Sequence, residues 1–276
     1  MVDVQLLLVL AATLLATGVV AGMLAGLLGV GGGIVMVPIL FYVFGAVGGV
    51  DESVRMHMAV GTSLAAMIPT SIRSALAHRK KGAVDEGLFK RWLPGIALGV
   101  LIGVLTAAWV KGPVLMAVFA VFATMVALHM AFGRDSWRVA SELPGRAGQT
   151  VMATGISAIS VMMGIGGGTF TVPVLTLFGY PIHRAVGTAA AIGVLIAIPG
   201  AIGFVLGGLG EAGRPTGSFG YASLIGVAAL VPTTVLAAPW GVALAHRLNR
   251  VWLRRAFALF LALTGMRMGF SLFGLL

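Results

Sequence analysis

The sequence predicts an all-α polytopic membrane protein of two inverted repeats. Each repeat is a glycine-broken helical hairpin followed by three transmembrane helices, giving about 8–10 membrane segments by the ~20-residue length of a spanning helix. Three observations predict this: an apolar composition, an internal repeat, and loop charges that change sides between its copies. Of 276 residues, 59% are hydrophobic and 9% charged, too little charge to cover a water-soluble surface. Apolar runs such as Val4–Leu28 and Ala256–Leu276 reach the length needed to span hydrocarbon. Inside a bilayer the backbone must satisfy its own hydrogen bonds, so these runs are read as helices. They are continuous rather than alternating, which makes a β-barrel the weaker reading.

The repeat is carried by three blocks in the same order. Gly29–Leu40 (GVGGGIVMVPIL) and Gly164–Leu175 (GIGGGTFTVPVL) match at seven of twelve positions with an offset of 135. His57–Ala66 (HMAVGTSLAA) and His183–Ile192 (HRAVGTAAAI) follow at an offset of 126. Beyond them Gly82/Gly220, Pro94/Pro232, Gly103/Gly241 and Phe119/Phe257 are all 138 apart. The domain division is therefore a first membrane repeat over 1–132, a polar linker over 133–149 and a second repeat over 150–276.

Charge then orients the copies. The loop His78–Arg91 carries a net +3, while its counterpart Gly207–Gly220 holds only Glu211 and Arg214. At the next loop the bias reverses: His246–Arg255 has four arginines against Lys111 alone in Ala108–Ala117. Cytoplasmic loops are the basic ones, so equivalent loops are expected on opposite sides, the inverted arrangement of many secondary transporters. The segments expected in the first half are Val4–Leu28, Ile34–Phe44, Val54–Ala77, Trp92–Val110 and Pro113–Phe132. Those of the second are Thr150–Met163, Thr169–Gly179, Arg184–Leu206, Tyr221–Ala245 and Trp252–Phe273. The pieces after the glycines are short, and are expected as half-helices or re-entrant segments. A bacterial inner-membrane location with both termini periplasmic follows, and the Met1-Val2-Asp3 start has no basic region of a cleaved signal.

The net charge of +10 does not indicate nucleic acid, because the basic residues cluster between apolar runs. Cysteine is absent, which excludes disulfides, thiolate metal sites and cysteine catalysis. No carboxylate falls inside an expected span, which argues against cation transport and an acidic proton relay. No metal-ligand cluster or catalytic motif appears, so neither a cofactor nor an enzymatic activity is expected.

The glycine segments are the most informative. A helix starting inside the membrane at Gly33 or Gly168 presents free N–H groups and its positive dipole end, which suits an anion. Two such starts related by a pseudo-twofold converge near the midplane. Gly31, Gly32, Gly33, Gly166, Gly167, Gly168 and Thr169 are thus candidate substrate contacts; glycines that only permit tight helix packing are the plainer alternative. Thr62, Ser63 and Thr188 either donate to an oxyanion or bond their own helix carbonyls. His57 and His183 hold equivalent places and are read as gating or proton-coupling residues, or as interfacial histidines. Arg267 lies within the last apolar run, either as a positive field for an anion or snorkelling to the surface.

Several of these residues resemble the TauE/SafE family of sulfite and organosulfonate exporters. The matching pieces are Gly22–Gly33 (GMLAGLLGVGGG), Val37-Pro38, Val60–Ser63 (VGTS), Gly164–Gly168 (GIGGG) and Ala185–Thr188 (AVGT). The likeness extends over nearly the whole chain, with one departure: Ala189 stands where the first copy has Ser63. The resemblance implies transport of sulfite, sulfoacetate or a related sulfur oxyanion, usually outward. Its partners would be that small anion and the lipid bilayer, with homo-oligomerisation left open. An anion channel or uniporter and a non-transport membrane scaffold are the competing readings.

Overall fold

The computed structural model describes residues 4–28, 31–47, 50–133, 138–245 and 250–272. Gly29 and Val30 of the first glycine motif, and 246–249 of the basic loop before the last helix, lie outside the described residues. The first half contributes α1 (Val4–Leu28), α2 (Gly33–Val47), α3 (Glu52–Lys80), α4 (Glu86–Trp109) and α5 (Gly112–Phe132). The second contributes α6 (Arg146–Met162), α7 (Gly168–Leu177), α8 (Ile182–Gly207), a hairpin of β1 (Ser218–Phe219) and β2 (Ala222–Ser223), α9 (Leu224–Ala245) and α10 (Arg250–Leu272). Helices thus form where the apolar runs placed them, and the chain is a multi-pass membrane protein.

Local chemistry sets the boundaries. Asp51 accepts from the Ser53 N–H at 2.8 Å ahead of α3, and Asp85 accepts from the Leu88 N–H at 2.9 Å ahead of α4, the usual way of satisfying first-turn donors. Pro113 occupies the first turn of α5, where its missing N–H costs nothing. The hairpin was not expected from the sequence, which began that helix at Tyr221. Gly220 turns at φ +56° and the Tyr221 N–H reaches back to the Phe204 carbonyl at 3.2 Å, so the chain pairs as two short strands before α9 begins.

Among the described residues, five helices contain windows long and apolar enough to cross a bilayer: Leu8–Gly26, Glu86–Trp109, Gly112–Phe132, Ile182–Gly207 and Leu224–Gly241. α2, with 15 residues, and α7, with 10, extend ~22 and ~15 Å at 1.5 Å per residue, short of a ~30 Å hydrocarbon core. Exposed apolar side chains such as Leu98, Leu101 and Leu105 on α4 and Val121, Met125 and Leu128 on α5 form the surface that lipid covers.

Packing pairs the helices across the halves. α1 lies against α9 and α6 against α4, while α3 meets α8 and α5 meets α10. Exchanging the halves maps each of these pairs onto another or onto itself. α3 and α8 run antiparallel. The Asp51 N–H, just before α3, donates to the carbonyl of Gly213, beyond the end of α8, at 2.9 Å. The Asp85 N–H, just beyond the other end of α3, donates to Thr188 Oγ1 in the first turns of α8 at 2.9 Å.

Candidate functional site

The two glycine segments meet in the interior. Gly31 and Gly32 adopt φ +80° and +76°, a left-handed turn that only glycine takes without strain. The N–H groups of Val35 and Met36 then close on the Gly32 carbonyl at 3.1 and 3.2 Å as α2 begins. In the second half Gly164 takes φ +68°. Gly164 and Ile165 donate back to Val161 and Ser160 at 3.1 and 2.9 Å, closing off α6 before α7 starts at Gly168. A methyl group on Gly33 would strike the Gly164 carbonyl oxygen and would lie 2.5 Å from Met67 Sδ; one on Gly31 would lie 3.5 Å from Gly166 Cα. Ser63 Oγ donates to that same Gly164 carbonyl at 2.8 Å. The α2 start is therefore packed onto the turn that leads to the α7 start.

Beside this contact is a small cleft. The second glycine run, Gly166 to Gly168, forms one wall; Thr70, Ser71 and Ser74 of α3 and the small residues Ala189 and Gly193 of α8 form others. Its volume of about 10 Å³ is the room of a single water, so the conformation is closed around it. Thr70 Oγ1 is already bonded to Thr234 Oγ1 at 3.2 Å. The hydroxyls of Thr169 and Thr171 on α7, and of Ser157 and Ser160 on α6, are buried with no partner among the described residues. A buried hydroxyl left unpaired is costly, and such groups call for an explanation. By the 135-residue offset their counterparts are Ile34, Met36, Gly22 and Ala25, so these four hydroxyls have no polar equivalent in the first half. Thr169 was among the expected residues; Thr171, Ser157, Ser160 and Ser71 were not. The sequence signal for them is the placing of hydroxyls on otherwise apolar helices.

Thr62 and Thr188 are both fully buried but do not line that cleft. Thr62 Oγ1 accepts from the Ser223 N–H at 2.9 Å, and Thr188 Oγ1 accepts from the Asp85 N–H at 2.9 Å. Ser223 and Asp85 are themselves 138 apart and each accepts a backbone N–H three residues on, at 3.1 and 2.9 Å, opening α9 and α4. The glycine before each threonine admits the incoming backbone: a methyl on Gly61 would meet the Tyr221 carbonyl and one on Gly187 the Ala83 carbonyl. Each Gly-Thr pair thus receives the segment that leads into the fourth helix of the opposite half.

The two histidines occupy unlike surroundings. His57 is buried, with Nε2 3.0 Å from the Ala107 carbonyl, Nδ1 unpartnered among the described residues, and the Tyr221 ring centroid 5.0 Å away. His183 is exposed at the start of α8. Arg267 is exposed as well and lays its Cζ 4.0 Å from the centroid of the Tyr42 ring, a cation–π contact.

A charged cluster that the sequence reading missed joins the α3–α4 and α7–α8 loops. The Tyr180 hydroxyl donates to Asp85 Oδ2, and Arg184 Nη1 stands 4.0 Å from the same oxygen. Burial raises the Asp85 carboxyl pKa. The hydrogen bonds from Tyr180 and the Leu88 N–H, with the Arg184 charge, outweigh it and leave the group below its ordinary value. Burial, then Asp85, push the Tyr180 phenol well above its own.

With the broken helices and their meeting point in place, comparison with known proteins is decisive. Residues 14–268 match the family described as sulfite exporter TauE/SafE. The chain belongs to that family. Among related proteins, a probable membrane transporter protein of Haemophilus influenzae is 34% identical over 242 residues, covering 88% of this chain and 91% of that protein. One of Methanocaldococcus jannaschii is 27% identical over 206 residues, covering 72% and 73%. One of Bacillus subtilis is 26% identical over 214 residues, covering 71% and 78%. No solved structure matches. As a TauE/SafE member with these relatives, the chain is a membrane transporter.

Proposed function

We propose that this transporter exports a small sulfur oxyanion, sulfite or an organosulfonate such as sulfoacetate, by alternating access. The anion is held where the two glycine breaks meet. The observation that carries this reading is the cleft beside that meeting point, bounded by the α7 start and by Thr70, Ser71 and Ser74 of α3, with the Thr169 hydroxyl, next in the chain to its Gly168 wall, buried without a partner among the described residues. The first N–H groups of a helix have no intrahelical acceptor, and its dipole end is positive. Thr169 and Ser71 add neutral donors, and the absence of carboxylates from the cleft lining leaves the potential favourable to an anion. Ser63 acts at one remove by fixing the Gly164 carbonyl, and Gly31, Gly32 and Gly33 complete the contact from the first half. Thr62 and Thr188 serve the frame, holding the lead-in of each fourth helix.

The family description supports sulfite as the first substrate to test. The antiparallel course of α3 and α8 supports an inverted-repeat architecture. With the basic α3–α4 loop cytoplasmic, both termini are periplasmic, in a bacterial inner membrane. A cleft with room for one water does not admit sulfite, whose four heavy atoms need several times that space. Transport therefore requires an opening motion, which favours alternating access over a standing channel. His57, whose Nδ1 has no partner among the described residues and which lines a second small cavity with α4 and α8, is our candidate for proton coupling.

The test is counterflow in proteoliposomes preloaded with sulfite, sulfoacetate, sulfate or chloride, for wild type, Ser71→Ala and Thr169→Val. Saturable exchange selective for a sulfur oxyanion is expected. Each variant should raise the half-saturating concentration roughly 10-fold or more, the value of one hydrogen bond to a charged ligand. Folded protein that exchanges none of these anions would overturn the proposal.

A further inference from the structure

A second group of donors without acceptors sits away from the glycine breaks, on the C-terminal half of α2. Phe41 and Tyr42 pack edge to face, with centroids 5.4 Å apart. Each ring carries a guanidinium from a different helix: Arg55 of α3 lies 5.7 Å from the Phe41 centroid and Arg267 of α10 lies 4.0 Å from that of Tyr42. The ion pairs among the described residues are Arg79–Glu86 and Arg184–Asp85, so neither of these arginines has a carboxylate partner there. Asp51, one turn before Arg55, is already engaged by the N–H and hydroxyl of Ser53 at 2.8 and 2.7 Å. Arg55 Nε and the Tyr42 hydroxyl are both buried with no partner among the described residues.

Stacking a guanidinium on a ring uses the π face and holds the cation in place, but it leaves the in-plane N–H donors unspent. Two positive charges with no ion-paired carboxylate, a buried N–H and a buried O–H with no acceptor, all among the described residues, match a ligand that is anionic and presents several oxygens. The planar fork of arginine suits that geometry. The location is distinct from the cleft: Tyr42 is nine residues beyond Gly33 on α2, ~13 Å along the axis at 1.5 Å per residue. It is also at the opposite end of α3 from the basic residues Arg79, Lys80 and Lys81, since Arg55 lies in the first turn of that 29-residue helix.

We propose that Arg55, Arg267 and Tyr42 form a second oxyanion station at the mouth opposite the basic α3–α4 loop. Its ligand is either the transported anion on release or the phosphate of an anionic lipid. Its role as a release station rests on the exporter reading above; its binding chemistry does not.

The experiment is protection of the purified full-length protein from thermal unfolding in neutral detergent, titrated with sulfite, sulfate or a short-chain phosphatidylglycerol. Wild type, Arg267→Gln, Arg55→Gln, Tyr42→Phe and Thr169→Val are compared. Arg267→Gln and Arg55→Gln should each raise the half-protecting concentration about 10-fold for the occupant. Tyr42→Phe keeps the ring under Arg267 and should shift it in the same direction by less, which guards against misfolding as the cause. Sulfite and sulfate responding this way supports a station for the free anion. Response by phosphatidylglycerol alone supports the station and assigns lipid phosphate as its occupant. Protection that is lost in the arginine variants but unchanged in Thr169→Val supports this station while the cleft reading fails. Half-protecting concentrations that are the same in wild type and both arginine variants, for all three probes, overturn it.

Discussion

Replacing Gly33 by alanine would put a methyl group into the contact between the two glycine breaks. The added carbon would overlap the Gly164 carbonyl oxygen and would lie 2.5 Å from Met67 Sδ and 3.0 Å from Ile165 Cα. Methionine can swing its sulfur aside. The carbonyl cannot move alone, because Ser63 Oγ holds it at 2.8 Å and Gly164 is already committed to φ +68°. The α2 start must therefore separate from the α6–α7 turn by several tenths of an ångström. Overpacking of this kind costs ~1–3 kcal/mol, and the hydrogen bond from Ser63 is strained with it. Gly155 is the internal control: on α6, with nothing within 4 Å of an added methyl, its alanine variant should gain ~0.5–1 kcal/mol from helix propensity. Thermal unfolding in detergent, followed by circular dichroism for both variants, reads the difference in sign. Counterflow then asks whether the same displacement lowers transport. Equal stability of Gly33→Ala and Gly155→Ala would refute the packing of one break on the other, and the proposed site with it.

Three further outcomes follow from the geometry. Thr62→Val should lose ~1–3 kcal/mol of stability by stranding the buried Ser223 N–H, and Thr188→Val less, because the Asp85 N–H it strands is only part-buried; normal stability with abolished exchange would instead make those hydroxyls substrate contacts. Thr169→Val should be neutral or stabilising without anion, because the hydroxyl it removes is unpaired, and should reduce the stabilisation that sulfite confers; loss of stability in the absence of anion would contradict that. Asp85 has its carboxyl held below the ordinary ~3.9. A carboxyl lowered by folding contributes stability above its unfolded pKa, and that contribution disappears as pH falls through the folded value. Wild type should therefore lose melting temperature on acidification below about pH 4 more steeply than Asp85→Asn, and parallel melting curves for the two would remove the Tyr180–Asp85–Arg184 link as a source of stability.

The helices were legible in the sequence because glycine, proline and charge interrupt the apolar runs. α1 runs over Val4–Leu28, the stretch expected, and α5 begins one residue before the Pro113 that marked it. The starts of α2 and α7 were also legible, since the glycine runs break the apolar segments and the helices begin at Gly33 and Gly168, one residue before the Ile34 and Thr169 expected. The hairpin before α9 was not, because its strands are two residues each and depend on tertiary bonds to Phe204 and Thr62. The contrast between His57 and His183 was equally hidden. Their local sequences match, but Tyr221 and Ala107 pack over the first, whereas the start of α8 leaves the second open. A hydroxyl's partner lies beyond a single sequence for the same reason: Thr62 and Thr169 are both buried threonines, one satisfied from 161 residues away and the other without a partner among the described residues.

The exchange of first and fourth helices has a consequence for synthesis. α4 offers Gly95, Gly99 and Gly103 to the backbone of α6, where a methyl on each would collide with Thr150, Thr154 or Ala158. Until α6 leaves the ribosome, that grooved face has only lipid against it. α1 waits longer still, for α9, which begins at Leu224. Neither half can complete its own fold, so insertion into the bilayer must run ahead of assembly. A chain severed between α5 and α6 should still give an active protein when its two pieces are made together, and neither piece alone should be spared by the proteases that clear incomplete membrane proteins.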